Sequence, residues 1–413
     1  MKLEKTLALV TVCVIAAAVI VGVVKWRGAA RPAGRVHAPE AEAEGKVALL
    51  VVGIEGLEPS VFEPLVREGR LPNLSRLLAE GAYARFPSLG RNTDPRIAWT
   101  SLVTGVTPER QGIGGKVPSP KGAMVALPLR PSSRTVDTAW TLLSKAGVTV
   151  AVLGWPGTWP VEQVNGLMVG PYATYVLERT RRGRPEDAVH PPDAYAAVDS
   201  LVRAGDSYRR ISLARFVDMA SAMGLEALTG HNIEVLTGSC AGDTTMLTLA
   251  RAAVARHGAT AVFVSLPGLD AVSQRFWVYR DPKPSPTLMA DAAAYLRFRQ
   301  MAEALRGTTA EYYEYVDEIL GHLVALAAEE GTIAVIADHG YSGLELDSSG
   351  NPKIGREMHS ESGVLLLRGP CVAAGARAEK AALFDVAPTI MRAAGMQVPA
   401  GLDGRVLEEV MRP

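Results

Sequence analysis

The sequence predicts an α/β fold with a central, largely parallel sheet and helices on both of its faces. Three observations carry that expectation. Five apolar, β-branched runs recur after Lys46: "VALLVVGIEG", "VTVAVLGWPG", "ATAVFVSLPGLD", "TIAVIADHG" and "GVLLLRGP". They are continuous rather than alternating, the pattern of strands covered on both sides. Gly- or Pro-bearing loops and helical stretches separate them, as in a chain that winds back to start each parallel strand at the same end. One such stretch, "EYYEYVDEILGHLVALAAEEG", sets Tyr312, Val316, Ile319, Leu320 and Leu323 at helical spacing and stops at a glycine.

From the N-terminus, residues 1–5 form a short tail, and "TLALVTVCVIAAAVIVGVV", Thr6–Val24, follows without a charge. A run of that length is enough to cross a bilayer as one helix. A cleaved signal peptide is the milder reading, but Lys25 and Arg27 follow directly where small residues would mark a cleavage site. The run therefore reads as an uncleaved signal-anchor. Val12 before Cys13 argues against a lipidated cysteine. The expectation is a single-pass membrane protein with its main domain outside the cytoplasm, in the periplasm. Lys25, Arg27, Arg31 and Arg35 outnumber Lys2 and Lys5, so the positive-inside rule does not favour that orientation.

Residues 25–45, rich in Ala, Pro, Gly and Glu, read as a flexible linker. Residues 46–413 read as one α/β domain. Within it, residues 175–235 are more polar, include "ERTRRGRPED" and lack strong strands, so they are expected as an inserted cap.

Composition excludes little else. The 413 residues are 48% hydrophobic and 21% charged, ample for a large core. Lys plus Arg balance Asp plus Glu at 43 each, so no nucleic-acid-binding surface is evident. Cys240 and Cys371 are the cysteines outside the apolar run; they define no disulfide framework, and their pairing stays open.

Ligands of an open parallel sheet sit beyond the carboxyl ends of its strands. Glu55 follows the first run, Asp270 the "AVFVSLPGL" run, and Asp338 with His339 the "IAVIA" run. One acid after a strand is usually a turn or cap residue. Three such strand ends, together with His359, point to a shared site.

The segments "VVGIEGLEPSVFEPLVREGRLPNLSRLLAEG", "AWTSLVTGVTPERQGIGG", "WPGTWPVEQVNGLMVG", "LDAVSQRFWVY", "YYEYVDEILG", "IADHGYSG", "HSESGVLLLRGP" and "LFDVAPTIMRAAGMQVPAGLDGRVL" occur in an order that resembles the alkaline phosphatase superfamily. The likeness runs from about Val47 to Leu407, and its nearest branch is the bacterial type I phosphodiesterases and nucleotide pyrophosphatases. The resemblance implies an alkaline-phosphatase-like α/β fold. It also implies a site for two divalent metal ions, usually zinc, and a Ser or Thr nucleophile that forms a covalent intermediate.

Carried over residue by residue, Asp338, His339, Asp270 and His359 match the family's metal ligands. Glu55 stands where a first Asp is implied and keeps a carboxylate. Gln274 stands where a His is implied four residues after Asp270, and an amide is a poorer zinc ligand than imidazole. Gln111 also replaces a His. Thr93, two residues before a proline, is the candidate nucleophile. Equally, Thr93-Asp94-Pro95 reads as a turn and cap into the next helix.

His231, His257 and His322 could replace the missing ligand, with His231 in the expected cap the one worth testing. Phe276-Trp277, Trp155 and Trp159 read as a ligand cleft or as core, and "RTRRGR" as a phosphate contact or a solvated charge run.

The expected function is a membrane-anchored, metal-dependent hydrolase of phosphoric esters with an altered metal site holding one or two ions. Its substrate would be a small phosphate ester or a lipid or glycan phosphate. The alternative is a catalytically impaired pseudoenzyme that binds a ligand or partner. A sulfatase is disfavoured by Thr93 and Arg96 in the "TDPRI" setting, and a soluble glycolytic mutase by the anchor.

Overall fold

All five apolar runs become strands of one sheet in a computed structural model of the chain. The structure describes residues 46–413 except 91–92, 115, 119–123, 127–128, 172–184, 206–212, 223–229, 283, 285 and 343–357. The expected anchor, residues 6–24, and linker, residues 25–45, lie outside the described residues. Among those described, no helix is long and apolar enough to cross a membrane.

The sheet contains β1 (Val47–Ile54), β2 (Ala82–Pro87), β3 (Val150–Leu153), β4 (Gly166–Val169), β5 (Val189–His190), β6 (Ala261–Leu266), β7 (Ala327–Ala337), β8 (Ser362–Arg368) and β9 (Arg377–Ala378). Their spatial order is β9-β2-β8-β7-β1-β6-β3-β4-β5. The middle of the sheet, β7-β1-β6-β3-β4, is parallel throughout. Strand β8 runs antiparallel to both β7 and β2, and β5 antiparallel to β4. A small ribbon, Lys116–Pro118 with Met124–Ala126, stands apart.

Alternation along β1 shows why its sequence is apolar at nearly every position. Leu50, Val52 and Ile54 enter one core, while Leu49 and Val51 enter another on the opposite face. The first core is covered by α1 (Pro59–Arg67), α2 (Pro72–Glu80), α5 (Gly230–His257), α6 (Gly268–Arg280), α7 (Ala292–Leu305) and α8 (Thr308–Val324). The second is covered by α3 (Pro95–Thr104), α4 (Ala139–Lys145) and α9 (Val386–Ala393). Each strand thus removes two rows of side chains from water, at about 25 cal/mol per Å² of apolar area.

The second core contains a cluster of rings that fixes α3 against the strand ends. Trp155 packs edge-on against Trp99 at 5.2 Å and against Trp140 at 5.8 Å, and Phe263 joins both Trp140 and Trp155. Trp99 lies so close to β1 that a Cβ on Gly53 would stand 2.5 Å from its ring, so glycine is required there.

Part of the segment expected as a cap belongs to the sheet itself. Val189–His190 is its edge strand, and the helix Tyr195–Gly205 packs on α5. A two-residue edge strand is too short to leave an apolar run in the sequence. The "RTRRGR" segment lies outside the described residues.

A buried carboxylate holds the start of α6. Asp243 on α5 accepts the Gly268 N–H at 3.1 Å and the Tyr312 hydroxyl at 2.9 Å. Burial pushes its carboxyl up to about 7, those two hydrogen bonds working in the opposite direction. A folded-state value above the unfolded one favours the neutral acid. This group's stabilising contribution is therefore full near pH 4 and is lost as pH rises through 7. The melting temperature of Asp243→Asn minus that of wild type should accordingly grow between pH 4 and pH 8; a difference that is flat across this range would contradict the assignment.

Candidate functional site

Three adjacent parallel strands end in register. Gly53 on β1 stands opposite Ile336 on β7 and Ser265 on β6, so the residues that follow emerge side by side. Those residues are Glu55 after β1, Asp338 and His339 after β7, and Asp270 in the first turn of α6 after β6. The fourth contribution comes from the opposite direction. Because β8 is antiparallel to β7, its starting end lies at the same edge, and His359 just before it bridges to Tyr341.

The side chains converge into two groups that share one imidazole. Glu55, Asp338 and His339 form one; Asp270, His339 and His359 form the other, with the donor atoms of each group within 4.8 Å of one another. His339 Nε2 is 4.0 Å from Glu55 Oε1 and 3.8 Å from Asp338 Oδ1, while His359 Nε2 is 3.7 Å from Asp270 Oδ1. The two imidazoles stack at 3.7 Å, 11° from parallel.

The protonation pattern suits cation binding. His339 Nδ1 faces the Gly340 carbonyl at 3.1 Å. A carbonyl only accepts, so Nδ1 carries a proton, and in the neutral ring Nε2 presents its lone pair to the cluster. His339 Nε2 and Asp338 Oδ1 are both buried with no hydrogen-bond partner. Leaving such an atom unpaired costs about 1–3 kcal/mol. Burial pushes the Asp338 carboxyl above its ordinary range; the Asp270 charge adds to this and His339 opposes it. Three carboxylates and the imidazoles of His339 and His359 at a mostly buried edge form a set that a divalent cation could neutralise.

The other sequence candidates fall in different places. Gln274 lies one turn beyond Asp270, and its amide nitrogen donates to Asp270 Oδ2 at 2.7 Å. Thr93 precedes the N-cap of α3, and its hydroxyl donates to the Leu89 carbonyl at 2.7 Å. The cap is Asp94, which accepts the Arg96 N–H at 3.0 Å and pairs with the Arg96 guanidinium at 2.8 Å, while Pro95 opens the helix. Gln111 is buried and donates to the Ile97 carbonyl at 3.1 Å. His231, His257 and His322 join neither group. Phe276, Trp277 and Trp155 are buried in the cores. Trp159 instead lines a cavity of about 540 Å³ with Arg96, Leu129, Arg130 and Pro160.

Sequence reasoning missed Tyr341, three residues beyond Asp338. Its hydroxyl donates to Asp270 Oδ1 and reaches the Asp270 carbonyl at 3.3 Å, while its ring packs against Trp277 at 5.4 Å. Burial raises the phenol well above its ordinary value, with the Asp270 charge acting the same way, so the group remains a donor.

A family model for type I phosphodiesterase / nucleotide pyrophosphatase matches residues 49–391. The chain belongs to this family. That family is one of phosphodiesterase-type hydrolases of the alkaline phosphatase superfamily. No curated protein matches it significantly. Among solved structures, this phosphodiesterase-family chain is similar to a phosphonate monoester hydrolase from Silicibacter pomeroyi. The two are 14% identical, the match covers 88% of this chain and 76% of that one, and the TM-score is 0.46. It is also similar to human ectonucleotide pyrophosphatase / phosphodiesterase 5, with 12% identity, coverage of 89% and 100%, and a TM-score of 0.49.

Because Tyr341 and Gln274 both donate to Asp270, Tyr341→Phe should keep the ring packing and lose one hydrogen bond. The expected loss of unfolding free energy is about 1 kcal/mol, read by urea denaturation of the metal-free protein.

Proposed function

We propose that the chain hydrolyses phosphoric esters with one well-formed metal position and a second, weakened one. The observation carrying this reading is the pair of buried, unpartnered atoms His339 Nε2 and Asp338 Oδ1, set among further carboxylate and imidazole donors. His339 offers a single Nε2, so it completes one three-ligand group at a time. Glu55, Asp338 and His339 would form a nitrogen-and-oxygen set with an open fourth position, suited to zinc. Asp270 and His359 would then remain with Gln274, whose amide nitrogen is spent on Asp270. A bound divalent cation would supply a Lewis acid for the phosphoryl oxygen and would lower the pKa of a coordinated nucleophile.

The chain's own residues have defined tasks in this reading. His339 holds its ring by donating Nδ1–H to the Gly340 carbonyl, which aims Nε2 at the cluster. Tyr341 and Gln274 fix the two oxygens of Asp270. Thr93 is the proposed nucleophile: its hydroxyl donates to the Leu89 carbonyl, which orients the oxygen, and the proton would have to pass to solvent as the hydroxyl's pKa was lowered by a bound cation. Arg96 and Arg130 beside Trp159 line a cavity that suits an anionic ester bearing an apolar group. The uncharged run Thr6–Val24 supports attachment to a membrane with the domain outside the cytoplasm, which protease protection in sealed vesicles would check.

A second reading is that the domain binds such a ligand without turning it over. The ion pair of Asp94 with Arg96 favours it, because a carboxylate occupies the helix cap where a hydroxyl is implied.

Turnover of a nitrophenyl phosphodiester separates the two readings. The purified protein should hold fewer than two equivalents of zinc by elemental analysis, and two tightly held ions would refute the weakened position. Thr93→Ala should lower the rate about a thousandfold; an unchanged rate excludes Thr93 as nucleophile. Gln274→His should raise both the zinc content and the rate, by about tenfold for an imidazole in place of an amide. Wild type inactive with zinc and with manganese would leave the binding-domain reading.

A further inference from the structure

A carboxylate outside the candidate ligand set ties the ligand-bearing loops together. Glu58 lies three residues after Glu55, is 6% exposed, and caps α1 by accepting the Ser60 N–H on Oε1 at 3.0 Å. Its other oxygen, Oε2, faces away from the helix. It accepts the Ser360 hydroxyl at 2.8 Å and the Tyr341 N–H at 3.1 Å. Ser360 is the neighbour of His359, and Tyr341 lies two residues beyond His339. The Ser360 oxygen in turn accepts the Gly340 N–H at 3.2 Å, and the Ser360 N–H donates to the Gly340 carbonyl at 3.0 Å. From the other side, the Tyr313 hydroxyl accepts the Glu58 N–H at 3.0 Å and lies 3.3 Å from the Gly56 carbonyl.

One buried carboxylate therefore meets the loop after β1, the loop after β7 and the approach to β8. Through Tyr341 the network also reaches Asp270. Its tightness is visible at Gly340, where a Cβ would stand 2.2 Å from Glu58 Oε2. A helix cap alone requires one oxygen and any of several short side chains. A second oxygen aimed at two separate segments has no capping purpose.

We propose that Glu58 is a positioning residue that sets the spacing between Glu55, His339 and His359 for cation binding. This rests on the metal-dependent reading given above. A metal site tolerates ligand displacements of only about 0.2 Å, and partners behind the ligands are worth about 10- to 100-fold in metal affinity. Glutamine cannot replace Glu58. With its amide nitrogen at the Oε2 position, it faces the Tyr341 N–H, which cannot turn away. In the reverse orientation it faces the Ser60 N–H.

The test is zinc titration of the full chain against a chromophoric chelator, with apoprotein melting followed by circular dichroism. Glu58→Gln and Ser360→Ala should each weaken zinc binding, Glu58→Gln by about 10- to 100-fold and Ser360→Ala by about tenfold. The double variant should be no weaker than the worse single one, since both act through one contact. Wild-type affinity retained in folded Glu58→Gln and in Ser360→Ala overturns the proposal and leaves the metal reading intact. A lowered melting temperature with unchanged affinity does the same, because the residue then serves the fold alone. If Glu58→Gln does not fold, Ser360→Ala decides on the same criterion. Absence of zinc binding by wild type overturns both readings together.

Discussion

The candidate site depends on the hydrogen-bonded ladder β8-β7-β1-β6. Backbone pairing fixes neighbouring strands about 4.8 Å apart, and the register of β1 with β7 and β6 makes all three parallel strands end together. Glu55, Asp338, His339 and Asp270 inherit their proximity from that alignment. The reversal of β8 adds His359 from the other direction. The pieces stay in place because the strands are packed on both faces and the ring cluster around Trp155 fills the space beneath Gly53 and α3.

That rigidity has an electrostatic consequence. Three carboxylates meet with little water around them, and the upward push on Asp338 comes first from its burial, with the Asp270 charge adding to it. The protein relieves part of it by donating hydrogen bonds. Tyr341 and Gln274 serve Asp270, and Ser60, Ser360 and Tyr341 serve Glu58. Asp338 Oδ1 receives no such bond. The division separates carboxylates satisfied by the protein from one left open toward the cluster, and it gives Gln274 a purpose in place of the imidazole implied by resemblance.

Much of the sheet was legible because each buried strand needs a continuous apolar run, and the five runs all carry one. The strands that escaped notice are short, at the edge or beside it. Gly166–Val169 is brief, Val189–His190 consists of two residues, and Ala82–Pro87, flanked on one side by a two-residue edge strand, carries an arginine at an exposed position. Edge strands expose one side and lose the pattern. At the site, acids and imidazoles at strand ends declared themselves by position. Tyr341, Glu58 and Ser360 did not, because a tyrosine, a cap-like glutamate and a loop serine are ordinary in sequence. Their importance lies in contacts that join positions hundreds of residues apart.

By itself, the sequence determined the fold class, the strand ends that carry Glu55, Asp270, Asp338 and His339, and the substitutions at Gln274 and Gln111. These are local facts, set by residue type and by the period of burial along the chain. Tertiary structure alone decided that His339 is shared between two groups and that Tyr341 reaches Asp270. It also decided that Glu58 joins three loops. Each of these outcomes depends on which strands become neighbours and in which direction β8 runs, and strand neighbours are chosen by packing across the whole sheet rather than by any single segment.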